Sequence, residues 1–209
     1  MATLLHIEVS PRGARSHSSQ AAESFLAAYA AAHPQDRIER LDLWQLELPR
    51  YDGAYIDAKY SALAGAAMPP DQAAAWEHTR RLADQLKRAD KLVISTPMWN
   101  FGMPYVLKHY IDVVTQPGML WTFDATTGYS GLAGDRPTLL IQSAAGGYEA
   151  GSPAQPLDHL STTLGTWLDF IGIRSRKTLW VAPTFADADE LAQRVANAAE
   201  TAIGLARQF

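Results

Sequence analysis

The first stretch whose residue types could do chemistry runs from Ser10 to Ser19. It contains four serines, two arginines and a histidine: Ser10, Arg12, Arg15, Ser16, His17, Ser18 and Ser19. At the start of a helix such groups suit an anion, because the first helical amides lack partners and the helix dipole favours negative charge. The stretch has neither the Gly-Lys-Ser/Thr of a triphosphate loop nor the Gly-x-Gly-x-x-Gly of a dinucleotide loop, which favours a monophosphate. Alternatively, these serines only cap a helix.

A second stretch, from Thr96 to Pro104, combines aromatic side chains with two prolines and a glycine. Proline and glycine predict an irregular loop of defined shape. Met98, Trp99 and Phe101 would provide a flat apolar wall, and Asn100 would provide an amide. A heteroaromatic ring with polar edges would fit such a wall. The alternative is a rigid turn that packs against the core.

A third stretch consists of small residues: Ser143, Ala144, Ala145, Gly146 and Gly147. Small residues let a ligand approach the backbone closely, so that amide groups can meet its carbonyl oxygens. The alternative is an ordinary Gly-Gly turn.

The elements that must position these stretches alternate along the chain. Apolar segments predict strands at 3–9, 37–43, 91–96, 137–143 and 175–181. Helices are predicted at 17–32, 71–89, 104–114, 157–171 and 187–207, with Asp71 capping the second and Asp187 or Asp189 the last. The segments 44–70 and 115–136 are predicted as long loops, the first with a helical stretch near 54–63.

This alternation predicts an α/β protein with one domain, residues 1–209. We expect a flavodoxin-like, doubly wound, five-stranded parallel sheet in the order 2-1-3-4-5, with helices on both faces. Ligands of such sheets lie beyond the carboxyl ends of the strands, at the switch point between strands 1 and 3. All three stretches directly follow predicted strands that meet at this edge.

Composition narrows the function classes. The chain has no cysteine, which excludes disulfides, thiolate metal sites and iron–sulfur clusters. The net charge is -4, and no basic stretch predicts nucleic-acid binding. Neither a signal peptide nor a membrane-spanning run is indicated, so we expect a cytoplasmic protein. The six histidines show no metal-ligand spacing, and we expect no metal.

Residues 97–104, followed by Leu107-Lys108 and Tyr110-Ile111-Asp112, resemble the PMYNF…P…LK…ID signature of FMN-dependent NADH:quinone oxidoreductases and azoreductases. Ser10 with Ser16-His17-Ser18 resembles the phosphate loop of this family, and residues 170–173 resemble its late-helix ending. Two departures stand out. Trp99 replaces the usual tyrosine, and Ala144-Ala145 leave no arginine where the family commonly has Ser-Arg-Gly-Gly. We expect both to affect substrate preference more than flavin binding.

The resemblance implies a homodimer with one tightly bound FMN per subunit. The implied phosphate ligands are Ser10, Ser16, His17 and Ser18. The residues implied to line the isoalloxazine ring are Met98, Trp99, Asn100 and Phe101. The segment implied to meet the pyrimidine edge is Ser143, Ala144, Ala145, Gly146 and Gly147. Three aromatic residues are candidates for stacking on substrate, with core or dimer packing as the alternative for each: Trp121, Phe123 and Trp167.

The implied activity is transfer of two electrons from NADH or NADPH to quinones or azo compounds in a ping-pong scheme. The cofactor does the chemistry, and no catalytic acid, base or nucleophile is assigned. An alternative is a flavodoxin-type electron carrier, which would not need long loops at 44–70 and 115–136. A serine hydrolase is disfavoured because the chain has no Gly-x-Ser-x-Gly motif.

Overall fold

The computed structural model describes residues 1–209 and contains seven strands. They are β1 (Thr3–Glu8), β2 (Arg37–Asp42), β3 (Lys91–Pro97), β4 (Trp121–Asp124), β5 (Gly128–Gly131), β6 (Thr138–Ser143) and β7 (Arg176–Val181). Five of them form a parallel sheet in the order β2-β1-β3-β6-β7, and β4 pairs with β5 in a separate antiparallel hairpin. Counted within the main sheet, this is the predicted order 2-1-3-4-5, so the flavodoxin-like fold is confirmed.

The chain has six α-helices, of which five lie between strands and the last follows β7. They are α1 (His17–Ala32), α2 (Gly53–Ala64), α3 (Pro70–Arg88), α4 (Tyr105–Val114), α5 (His159–Ile171) and α6 (Ala188–Ala206). Short 3-10 turns at Gly13–Arg15 and Gln155–Leu157 precede α1 and α5. None of the helices combines the length and apolar character needed to cross a bilayer.

The core lies on both faces of the sheet. A cluster of 26 buried residues joins the sheet to α3, α4 and α5, and a cluster of 14 joins the other face to α1 and α6. The central strands are apolar almost throughout because helices cover both sides of them. One polar exception is His6, which is fully buried in β1.

Of the two predicted long loops, 44–70 contains the predicted helical stretch as α2, whereas 115–136 contains more structure than expected. Helix α2 begins behind Asp52, whose carboxylate accepts a hydrogen bond from the Tyr55 amide, and it ends at Gly65. The segment 115–136 holds the β4–β5 hairpin, whose turn is closed by Asp124. Prediction missed the hairpin because each strand has only four residues, too few for an alternating pattern to stand out.

Three helix starts also differ from or refine the prediction. Helix α3 begins at Pro70, so Asp71 lies in its first turn and does not cap it. Helix α5 begins at His159 and is capped by Asp158, whereas Leu157 lies in the preceding 3-10 turn. Asp187 caps α6 by accepting from the Glu190 amide at 2.9 Å. Such boundaries depend on single side-chain–backbone bonds, which sequence patterns leave open by a few residues.

Candidate functional site

The three predicted loops lie side by side at the carboxyl edge of the sheet. The amide of Val9, just after β1, donates to the Ser95 carbonyl of β3 at 3.0 Å. The amide of Met98, just after β3, donates to the Ser143 carbonyl of β6 at 2.7 Å. We call the loops the phosphate loop (residues 10–19), the ring loop (residues 98–103) and the glycine loop (residues 143–147). The first two flank the switch point between β1 and β3, where open α/β sheets bind ligands.

The phosphate loop is organised around Ser16, which caps α1. Its hydroxyl accepts from the Ser19 amide at 3.3 Å and lies 3.2 Å from the Ser18 hydroxyl. Ser10 is also buried, and its hydroxyl accepts from the Arg12 amide at 3.4 Å. The amides of His17 and Ser18, the first two of α1, have no acceptor within the protein. Unpaired amides at a helix start can bind an anion.

Two buried side-chain atoms in the same helix turn have no hydrogen-bond partner, namely Nδ1 of His17 and Oγ of Ser19. An unsatisfied buried polar group costs about 1–3 kcal/mol, so native proteins normally pair such groups. A phosphate group, whose oxygens accept hydrogen bonds, would complement them. The arrangement therefore fits the phosphate of FMN. Ser19 was predicted as part of the anion-binding stretch, but it was not among the four phosphate ligands that the family resemblance implies.

The ring loop contains a two-residue reverse turn with an unusual backbone. Asn100 and Phe101 have φ angles of 47° and 70°, and the turn is closed by reciprocal hydrogen bonds between Trp99 and Gly102 at 2.9 and 3.0 Å. The Phe101 carbonyl also accepts from the His159 amide at 3.1 Å. Left-handed backbone is costly for a bulky residue and concentrates at functional sites. The residues Trp99 and Phe101 are 38% and 45% exposed.

Replacing Phe101 by glycine or by alanine separates this strain from the loss of the ring. Both variants lack the aromatic side chain, but only alanine keeps the cost of a Cβ in left-handed backbone, which is about 1–2 kcal/mol. The stability that Phe101→Gly gains by avoiding this cost is partly offset, because glycine has greater conformational freedom in the unfolded chain. We expect Phe101→Gly to exceed Phe101→Ala by about 1 kcal/mol in the free energy of unfolding, measured with urea. Equal free energies of unfolding for the two variants would mean that the turn in Phe101→Ala changes its backbone conformation and so avoids the cost.

The glycine loop offers backbone donors. The amides of Ala145, Gly146 and Gly147 have no acceptor within the protein. Backbone hydrogen bonds fix the loop in place: the carbonyls of Ala144 and Ala145 accept from the amides of residues 184 and 185 at 2.8 and 3.1 Å. A Cβ on Gly147 would lie 2.9 Å from the Glu149 carboxylate, so a larger residue would displace that side chain. Three free amides suit the carbonyl oxygens of a flavin pyrimidine ring.

An open groove of about 630 Å³ adjoins the ring loop and is bordered by Trp99, Tyr105 and α4. Lys108 on this helix pairs with Asp112 at 2.6 Å, and His109 Nε2 lies 2.8 Å from the Pro49 carbonyl. These polar groups are therefore already partnered. No group of three or more His, Cys, Asp or Glu side chains is placed to hold a metal ion.

The predicted stacking residues occupy different environments. Trp167 is buried in the core, and its Nε1 donates to the Thr115 hydroxyl at 3.0 Å, which favours the packing alternative for this residue. Phe123 is 58% exposed, whereas Trp121 is half-buried and its Nε1 donates to the Thr115 carbonyl at 3.3 Å. A cluster that we call the aromatic patch has neighbouring ring centroids 5.0–5.7 Å apart and comprises Trp121, Phe123, Tyr129 and Phe170.

The aromatic patch lies away from the three loops within one chain. Helix α4 follows the ring loop and has ten residues, which corresponds to a length of about 15 Å. This helix separates the ring loop from the β4–β5 hairpin. Helix α5 likewise begins beside Phe101, and its last residue, Ile171, accepts from the Ala133 amide next to β5. The structure therefore does not bring Trp121 or Phe123 together with the predicted flavin-binding loops of the same chain.

The fold and the three loops define a flavodoxin-like protein, and the family model for this fold matches residues 2–203. "FMN-dependent NADH:quinone oxidoreductase" from Nitratidesulfovibrio vulgaris (strain DP4) is 40% identical over 210 residues, covering 100% of both chains. A relative named "FMN-dependent NADH:quinone oxidoreductase 3", from Pseudomonas fluorescens, is 39% identical and covers 100% of this chain and 98% of its own. The structure of an azoreductase from Bacillus anthracis superposes with a TM-score of 0.91 at 28% identity, over 100% of both chains. The chain belongs to the FMN-dependent NADH:quinone oxidoreductase family.

Proposed function

We propose that residues 1–209 form a single FMN-binding domain that transfers two electrons from NADH or NADPH to quinones, azo compounds or both. The observation that carries this proposal is the meeting of two loops at one sheet edge. One has partnerless donors at a helix start, and the other presents two half-exposed aromatic rings. The full-length similarity to proteins named for this activity supports it.

In this proposal each loop holds one part of FMN. Ser10, Ser16, His17 and Ser18, joined by Ser19, bind the phosphate. Met98, Trp99, Asn100 and Phe101 line the ring, although Met98 also packs against the core. Ser143 to Gly147 meet the pyrimidine edge through backbone amides. Bound FMN supplies the two-electron chemistry that ordinary side chains lack. The protein contributes position and a nonpolar wall that limits water at the ring.

We further propose that electron donor and acceptor use one flat site in turn. The exposed side chain of Trp99 borders an open groove, which can admit a planar substrate without a moving lid. Initial rates at varied NADH and quinone concentrations should then give parallel double-reciprocal lines. Intersecting lines would show that both substrates are bound together.

We propose a homodimer, because the aromatic patch is exposed and lies away from the flavin loops of its own chain. In a dimer the patch of one copy can cover the loops of the other, which would give Trp121 and Phe123 their stacking role. Sedimentation equilibrium tests the stoichiometry, and a monomer would contradict this arrangement.

We also propose a cytoplasmic location, where NADH and NADPH are available, and cell fractionation tests it.

Absorption spectroscopy of the purified protein tests the central proposal. We expect flavin bands, or their appearance when FMN is added to the apoprotein, and anaerobic NADH should bleach them within the time of a catalytic turnover. Titration with NADPH in parallel gives the donor preference. A colourless protein that cannot be reconstituted with FMN would refute the proposal. A flavin-containing protein that barely reacts with either nucleotide would instead favour the electron carrier.

A further inference from the structure

Trp44 is the second residue after β2 and lies in the segment predicted as a long loop. The β1–β2 ladder ends where the Leu43 amide donates to the Glu8 carbonyl. The next carbonyl along the chain, that of Val9 just after β1, accepts instead from the indole Nε1 of Trp44 at 2.7 Å. The Trp44 amide donates to Asp42 Oδ1 at 2.9 Å, which fixes the turn that carries the side chain. The indole thus continues the sheet beyond its last backbone bond.

The same indole contacts the ring loop and the start of α4. Its centroid lies 6.1 Å from the ring of Trp99, with the planes at 53°. It lies 5.5 Å from the ring of Tyr105 in an edge-to-face arrangement with the planes at 82°. Aromatic pairs in such geometries attract each other beyond their buried area. Trp44 also packs against the core, so its half-buried side chain has little freedom to move.

Trp44 therefore bonds to Val9, which directly precedes the phosphate loop, and packs against Trp99 of the ring loop. The side chain of Trp44 thus connects the start of the phosphate loop with an aromatic residue of the ring loop, in addition to the backbone hydrogen bonds of the sheet. A ligand that engages two loops at once binds best when their separation is set beforehand, because ordering them on binding costs free energy.

We propose that Trp44 is a positioning residue that holds the phosphate loop and the ring loop at the separation that FMN requires. This inference rests on the proposed function, since it concerns the same site. It assigns Trp44 no contact with the flavin. Its contribution is to let the phosphate end and the ring end bind together, so its loss should affect only a ligand that uses both loops.

Comparison of FMN with riboflavin, which lacks the phosphate, tests this coupling. Dissociation constants are measured by calorimetric titration of apoprotein from the wild type and from Trp44→Phe, which keeps an aromatic ring but removes the donor. We expect the FMN constant to rise about five-fold, as for loss of one hydrogen bond, while the riboflavin constant changes less than two-fold. Equal weakening of both flavins would show a local packing role and would overturn the proposal, as would no change in either.

Two further variants sharpen the result. Trp76→Phe changes a half-buried tryptophan of α3 that packs against Tyr55, and it should alter neither constant. Trp44→Gln keeps a side-chain N–H but loses the aromatic contacts, and it should also lower the preference for FMN over riboflavin. Urea unfolding of each apoprotein verifies that it is folded. Wild-type protein that binds neither flavin would overturn the proposed function together with this inference, whereas normal FMN binding with no Trp44 effect overturns this inference alone.

Discussion

Simultaneous replacement of Ser16 and Ser18 by alanine should weaken FMN binding at least about 100-fold while the domain stays folded. Each hydroxyl would donate to a charged phosphate, and a hydrogen bond to a charged group contributes about 1.5–3 kcal/mol. Two such bonds correspond to about 3–6 kcal/mol, or roughly 10²- to 10⁴-fold in the dissociation constant. The variant also loses the cap of α1, because the Ser19 amide donates to Ser16 Oγ. That loss costs about 1 kcal/mol of stability.

Fluorescence titration of apoprotein with FMN measures the effect, and two controls separate binding from capping. Asp187→Ala removes the cap of α6, which is far from the loops in sequence, and should reduce stability without changing FMN affinity. Ser16→Asp keeps a good capping residue but places a carboxylate beside the phosphate, so stability should be retained and FMN binding lost. Unchanged FMN retention in the double serine variant would count against the assigned phosphate loop.

The sequence predicts this fold well where strong local patterns coincide with simple topology. The three central strands are short apolar runs, each followed by a loop rich in serine, proline or glycine, and parallel connection brings those loops to one edge. The positions of the phosphate, ring and glycine loops could therefore be predicted without any contact information. Their hydrogen bonds could not, since the partnerless atoms of His17 and Ser19 depend on how the first turn of α1 folds.

Trp167 shows a signal that prediction overlooked. Leu160, Leu164 and Trp167 are spaced by four and three residues, which places all three side chains on one face of α5. Both leucines are fully buried in the core, and the tryptophan lies with them. Helical spacing therefore favoured packing over an exposed stacking role. No comparable pattern marks Trp44, whose partners Val9 and Trp99 are brought to it by strand register and by the ring-loop turn.

Acid should destabilise the protein through His6, which is fully buried in β1. Its Nε2 lies 2.9 Å from the Ser95 hydroxyl, and its Nδ1 has no partner. The pKa of His6 is lowered to about 4, chiefly by burial and also by the charge of Arg40, while Glu23 acts in the opposite direction. In the unfolded chain a histidine titrates near pH 6.5. The folded protein therefore keeps His6 neutral over a range in which the unfolded chain takes up a proton.

The pH window follows from these two values. Between about pH 6.5 and pH 4 the unfolded state binds more protons than the folded state, so the free energy of unfolding falls as pH falls. A difference of about 2.5 pKa units corresponds to roughly 3 kcal/mol, and the loss levels off below pH 4. Hydrogen bonds, the largest from the Ala2 amide, help to lower the pKa of Asp36 to about 2, and hydrogen bonds led by that of the Ser175 hydroxyl do the same for Asp135. Their stabilising contributions are lost only below about pH 4.

Urea unfolding of the apoprotein at pH 7, 6, 5 and 4, compared between wild type and His6→Gln, measures this contribution. Glutamine cannot take up a proton, so the difference in unfolding free energy between the proteins should shift by about 3 kcal/mol in favour of the variant on going from pH 7 to pH 4. His78→Gln, which changes a half-exposed histidine of α3, is the control and should follow the wild type more closely. If wild type and His6→Gln lost stability in parallel, His6 would not be held neutral in the folded protein.

The protonation of His6 bears on function because its neighbour Ser95 accepts, through its carbonyl, from the Val9 amide directly before the phosphate loop. Protonation of His6 would therefore disturb the strands that carry both the phosphate loop and the ring loop.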